Sequence, residues 1–169
     1  FGGERELETY DPAADRWSRG ASIPRALHHA AAVGLNDKLY VVGGVDRVIS
    51  DTYQVHNETW VYDPISNTWS QAVNFPQALG GVALAVVNSR LYAFGGFDSN
   101  GPGVGDVDTA YVYNPDNNTW LSRTAMISGT LAARACLTAS SVCGMTPSSA
   151  ATTNTTISVS LAPRARIEV

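Results

Sequence analysis

Short apolar runs alternate with turn residues along most of the chain. Val82-Ala-Leu-Ala-Val-Val87 is followed by Asn88-Ser89, then by Leu91-Tyr-Ala-Phe94, then by Gly95-Gly96. Runs of this length, rich in Val, Tyr and Trp and bounded by turn residues, read as β-strands. Asp11-Pro12 and Asp63-Pro64 mark tight turns, because Pro presets φ and Asp can bond the backbone two residues on. No longer window carries the apolar period of a helix. The near-continuous apolar strands suit sheets covered on both faces. The pattern predicts an all-β protein.

The same order of signals recurs. Tyr-Asp/Asn-Pro occurs at Tyr10, Tyr62 and Tyr113, and a Trp follows seven residues later at Trp17, Trp69 and Trp120. Gly-Gly pairs stand at Gly2-Gly3, Gly43-Gly44 and Gly95-Gly96. Trp17 to Gly43 and Trp69 to Gly95 are both 26 residues, so the period is 51 to 52 and the slack lies between Gly-Gly and Tyr. Strands are expected near 28–34, 38–43, 58–63 and 68–73, and again near 80–87, 90–95, 109–114 and 119–123. Another two are expected around Glu6–Tyr10 and from Trp17.

An apolar strand ending in Gly-Gly, a spaced Tyr-Asp-Pro and a Trp seven residues on resemble the Kelch repeat, whose period is roughly 50 residues. The resemblance covers residues 1 to about 124. It implies a partial β-propeller of four-stranded antiparallel blades: half a blade in 1–20, one in 21–74 and one in 75–124. Gly3, Tyr10, Trp17, Gly43, Gly44, Tyr62, Trp69, Gly95, Gly96, Tyr113 and Trp120 are then its structural landmarks. The glycines would take conformations open to glycine, and the aromatics would pack between blades. Propellers close with about four to eight blades, so the remaining blades are expected from a longer chain or from self-association.

Composition separates the repeats from the C-terminal segment. All 15 aromatic residues lie at or before Trp120, and residues 1–120 hold seven Lys/Arg against fourteen Asp/Glu. Residues 125–169 are rich in Ala, Ser and Thr and lack Gly-Gly, Tyr and Trp. They read either as a disordered linker or as a frame-shifted rendering of the next repeat. Cys136 and Cys143 fall there at a spacing that matches no zinc or redox motif. The acidic body argues against a nucleic-acid surface, where a basic stripe is expected. No run approaches the roughly eighteen apolar residues of a membrane-spanning helix. Asn57-Glu-Thr59 and Asn117-Asn-Thr119 are glycosylation sequons, which matter only in a secreted or cell-surface setting.

Chemistry is sought in the loops, because a rigid scaffold displays its binding residues there. In an up-and-down blade the loop between the second and third strands and the loop to the next blade emerge at the same end. That end carries Ser22–Leu27, Val45–Asn57, Asn74–Leu79 and Phe97–Asp108. The candidates are Arg25, His28, Asp46, Arg47, Asp51, His56, Asp98, Asn100, Asp106 and Asp108. Each has a structural rival: Arg25 and His28 can pin the blade start, and the Asp residues can be solvated loop charges. The resemblance implies that Arg25 lines the binding face, although the next blade has Gln77 in its place. Asp98, Asn100, Asp106 and Asp108 offer hard oxygens, but Pro102 and Thr109 break the EF-hand spacing. No metal or cofactor is assigned.

No nucleophile, base and orienting group come together in the pattern. Kelch-like propellers include galactose oxidase and a sialic-acid mutarotase, but no matching motif allows their residues to be carried over. The expected function is a non-catalytic scaffold whose loop face docks a protein or peptide. The alternative is part of a carbohydrate-binding or carbohydrate-acting propeller.

Overall fold

A computed structural model describes residues 3–127; both cysteines and the Ala/Ser/Thr-rich segment beyond 127 lie outside them. The described residues form twelve strands and no helix. β1 (Leu7–Asp11) and β2 (Arg16–Gly20) make an antiparallel pair. β3 (Ala31–Leu35), β4 (Lys38–Val42), β7 (Thr59–Asp63) and β8 (Thr68–Gln71) form one four-stranded antiparallel sheet in chain order. β9 (Ala83–Val87), β10 (Arg90–Phe94), β11 (Ala110–Asn114) and β12 (Thr119–Arg123) form a second with the same order. Two successive up-and-down sheets of this kind are propeller blades, and the β1–β2 pair forms a separate two-stranded sheet.

One local expectation is corrected. The sequence predicts an irregular loop over residues 45–57; they contain the hairpin β5 (Val45–Ile49) and β6 (Thr52–Val55). Ser50 and Asp51 form its two-residue turn, both with positive φ (47° and 61°). Such a turn matches the twist of the flanking strands, but here it lacks the usual Asn-Gly, so the hairpin signal is weak. The inner strands also start later than expected. Leu27-His28 and Leu79-Gly80 spend their amides and carbonyls on neighbouring segments, outside the sheet's own ladder.

The core lies between sheets. Leu7, Ile23, Leu27, Leu39, Val41 and Tyr62 join the β1–β2 pair to the first blade. Leu35, Tyr40, Val61, Leu91 and Tyr113 join the first blade to the second, and so do Val42, Phe75, Leu79, Val82 and Ala93. Both faces of the first blade are therefore covered, which is why β4 reads as an uninterrupted apolar run.

The landmark residues act across these interfaces. Tyr62 and Trp69 face each other across β7 and β8 with ring centroids 5.1 Å apart, and Tyr113 and Trp120 repeat the pair at 5.1 Å. The Trp69 indole Nε1 donates to the Ala21 carbonyl, 2.7 Å away beside the preceding sheet. A further repeated residue is Asn67, equivalent to Asn118 and Asp15. Asn67 Oδ1 accepts the Tyr62 hydroxyl at 2.8 Å and the Ala21 amide at 2.7 Å. Asn118 Oδ1 does the same for the Tyr113 hydroxyl and the Val73 amide, both at 2.9 Å. Burial, then the neighbouring Tyr40, push the Tyr113 hydroxyl up to about 12, so it stays a donor. One short side chain thus ties its own β-turn to the previous blade. Its φ of 52° suits Asn and Asp, which tolerate the left-handed region. Asn67→Ala is expected to cost about 1–3 kcal/mol by leaving two donors unmatched, while Asn67→Asp keeps the acceptor and most of the stability. Urea midpoints of the three proteins check this.

Candidate functional site

Strand direction sends the 43–58 and 95–109 connections to the same end of the sheets as the inter-blade segments 21–30 and 72–82. Hydrogen bonds tie these loops into one surface. Leu79 donates its amide to His56 O and accepts from Gly44 N, at 3.1 and 2.8 Å. His28 and Val45 exchange both backbone bonds, at 2.7 and 2.8 Å. The Tyr53 amide of β6 donates to Ser99 O at 2.9 Å, in the long loop of the second blade. Phe97 is buried where these segments meet, with the Tyr53 ring at 5.3 Å and the His29 ring at 5.7 Å, both edge-on.

Five of the candidates, with Glu58 and His29, are arranged in two groups. Arg25 Nε and Nη2 both donate to Glu58 Oε1, at 3.0 and 2.7 Å. The other Glu58 oxygen lies 3.7 Å from His56 Nδ1, and His56 Nε2 lies 3.4 Å from Asp46 Oδ2. Asp46 Oδ1 in turn lies 3.7 Å from Arg47 Nε. Arg25, Glu58, His56, Asp46 and Arg47 therefore form a connected chain linking the segment before β3, the lead-in to β7, and β5. His28 sits next to it, its Nδ1 2.7 Å from His29 Nδ1. Burial, and then His29, hold the His28 imidazole below its ordinary range, while Asp46 pulls the other way. Among the described residues, His28 Nε2, Asp46 Oδ1 and His56 Nε2 are buried polar atoms with no hydrogen-bond partner. Unmatched polar groups of this kind are costly in a low-dielectric interior.

The remaining candidates lie elsewhere. Asp51 is exposed in the hairpin turn. Asp98 Oδ1 accepts from Asn100 N and Nδ2, at 2.8 and 2.9 Å, and Asp106 Oδ1 accepts the Gly103 amide at 2.9 Å. Asp98, Asn100 and Asp106 are thus engaged in bracing their own loop. Asp108 is exposed, and its carbonyl accepts the Met126 amide at 2.7 Å. Among the described residues no three His, Cys, Asp or Glu side chains are grouped to hold a metal ion.

Glu58 and His29 are not among the residues that type and loop position pick out, yet the repeat itself contains the signal. In the phase of the repeat, Arg25, His28, His29, Arg47, His56 and Glu58 correspond to Gln77, Gly80, Gly81, Ser99, Val107 and Thr109. The second blade forms the same sheet with none of those charged or imidazole groups. The fold does not require them.

Sheet order, register and inter-sheet packing define a β-propeller segment. Residues 4–145 match the KLHDC2/KLHL20/DRC7 Kelch-repeats domain, and the chain belongs to that Kelch-repeat family. It is 32% identical over 136 residues to human Kelch repeat and BTB domain-containing protein 12, covering 76% of this chain and 22% of that protein. It is 29% identical over 110 residues to rat Kelch-like protein 24, covering 65% of the chain and 16% of the relative. Kelch-like protein terF of Aspergillus terreus is 29% identical over 133 residues, with 70% and 27% covered. The chain thus spans about a quarter or less of the length of these relatives. The solved structure of YjhT superposes with a TM-score of 0.61 at 17% identity, covering 78% of this chain and 54% of that one, and supports the fold alone. No helix among the described residues is long and apolar enough to cross a membrane.

Proposed function

We propose that this segment is part of a non-catalytic Kelch scaffold whose loop face docks a protein or peptide partner. The observation that carries this reading is the charged and imidazole cluster on the first blade. Apart from Asp46, whose place is taken by Asp98, its residues occupy positions that the second blade fills with Gln, Gly, Ser, Val and Thr while keeping the same sheet. Residues a fold does not require, gathered on one loop face, are the ones available for recognition. Beside them the β5–β6 hairpin carries Arg47, Val48 and Ile49, with Ile49 51% exposed. An exposed aliphatic pair beside ion-paired arginines is typical of a mixed protein-binding surface, in which an apolar centre is ringed by polar groups. The blade divisions 1–20, 21–74 and 75–124 are proposed on the same repeat phase.

Photo-crosslinking amino acids at positions 47 and 49 of the intact protein test the reading. Discrete protein adducts are expected there, and none from position 65, which is also accessible but lies in the β7–β8 turn at the opposite end. Equal capture from both ends would reject the loop face as the docking surface. Selective glycan binding lost on changing Asp98 or Asp106 would reject a protein partner in favour of a carbohydrate.

A further inference from the structure

His28-His29 stands where the next blade has Gly80-Gly81. Two bulky, titratable rings occupy the place of two glycines at the point where the loop face is stitched together. His29 keeps a left-handed backbone, φ 52°, as Gly81 does at φ 63°. Its carbonyl accepts the Gly81 amide of the second blade at 2.8 Å, and its ring leans on Phe97. His28 pairs its backbone with Val45, the first residue of the hairpin. The dipeptide therefore touches the hairpin on one side and the second blade on the other.

The contact between the two rings restricts their protonation. At 2.7 Å, one Nδ1 must carry a hydrogen and the other a lone pair. Two neutral rings satisfy this, and so does one cation beside one neutral ring. Two imidazolium rings do not, because two N–H groups and two like charges would then point at each other.

We propose that His28-His29 is an acid-operated latch on the loop face, closed while at least one ring is neutral and opened when both are protonated. Opening separates the rings, which withdraws His29 from Phe97 and loosens the Gly81 and Val45 backbone bonds. The hairpin and the second blade's long loop then lose their common support. The latch depends on both rings together, because they share one Nδ1–Nδ1 contact. Other charged groups bias it. Asp46 of β5 favours protonation of His28. Arg47, on the same strand, bears the opposite charge and pairs with Asp46. His56 and Glu58, ahead of β7, with Arg25 before β3, complete the ionic surroundings. From the second blade the pair meets the Phe97 ring and the Gly81 amide, and Tyr53 of β6 packs on another edge of Phe97.

The sign is set by His28. A group held below its unfolded value near 6.5 binds fewer protons folded than unfolded. The stability it contributes is complete above that pH and is lost as pH falls through the folded value. The junction therefore weakens on acidification.

Amide hydrogen exchange of the intact protein at about pH 7.5 and pH 5, corrected for intrinsic rates, tests the latch. The Gly81 and Val45 amides are expected to lose protection by about tenfold on acidification, while amides inside β4 keep theirs. His29→Gly installs the residue that the second blade uses at this phase, and its backbone conformation welcomes glycine. That variant is expected to fold and to show no acid response at Gly81. Unchanged protection in the native protein would overturn the proposal, as would a response that persists in His29→Gly. A response that disappears in His56→Val but not in His29→Gly would assign the switch to the ion-pair chain and overturn it too.

Discussion

Trp69→Ala is expected to lower the stability of the intact protein by about 3–5 kcal/mol, the range for truncating a large packed aromatic. The side chain packs with Tyr62 and against the core between the β1–β2 pair and the first blade. Its indole also supplies the bond to the Ala21 carbonyl. Trp69→Phe keeps an aromatic ring and removes the bond, for about 1 kcal/mol beyond the small change in packing. Trp17 occupies the same place in the repeat but is 52% exposed, so Trp17→Ala should cost only about 1 kcal/mol. Urea unfolding of the three variants checks the order. Equal losses at Trp17 and Trp69 would show that the indole acts within its own hairpin rather than between sheets. Loss of partner binding in Trp69→Ala would say nothing about the docking surface, because the scaffold itself would be gone.

Gly43→Ala is expected to be nearly as damaging, although it adds a single methyl group. Gly43 has φ 62°, and a Cβ there would overlap the Leu79 carbonyl oxygen. Leu79 cannot retreat cheaply. Its amide and carbonyl are both bonded to the first blade, and its side chain is buried in the inter-blade core. Left-handed strain of about 1–2 kcal/mol adds to about 1–3 kcal/mol of overpacking. Gly34 in β3 is the control, since a Cβ added there would meet nothing within 4 Å and its backbone is not left-handed. Gly34→Ala should be neutral, or stabilising by about 0.5–1 kcal/mol. Thermal melts that rank the two substitutions equally would refute the account of the Gly-Gly pair as a crossing point for the next blade.

The scaffold is legible in the sequence because its constraints are local and repeated. Tyr and Trp seven residues apart face each other because a four-residue turn places them at opposed positions of one hairpin. The Gly-Gly pair ends a strand where the backbone must turn and another segment must pass close by. Asn67 and Asn118 are equally regular, but their role depends on an amide some 45 residues away, so spacing alone does not reveal it. The β5–β6 hairpin escapes notice because its turn is Ser-Asp, and because its support comes from Ser99 and Phe97 of another blade.

The loop face is only partly legible. Residue type and the expected end of the blade pick out Arg25, His28, Asp46, Arg47 and His56. Type and end do not say which charges meet. Glu58 looks like part of a sequon, and His29 like a neighbour of His28; only folding places one between Arg25 and His56 and the other against Phe97. Asp98 and Asp106 read as ligands by residue type, and only the folded loop shows that they also brace its backbone.

The sequence by itself determined the all-β class, the repeat period and the family, because strand alternation, turn chemistry and the Tyr–Trp register act over one hairpin at a time. Which loops touch, which carboxylate is matched by which cation, and which imidazole is pressed against another were decided only by tertiary structure. Those pairings join residues brought together by the stacking of separate blades, and no local preference of the chain encodes a distance between them.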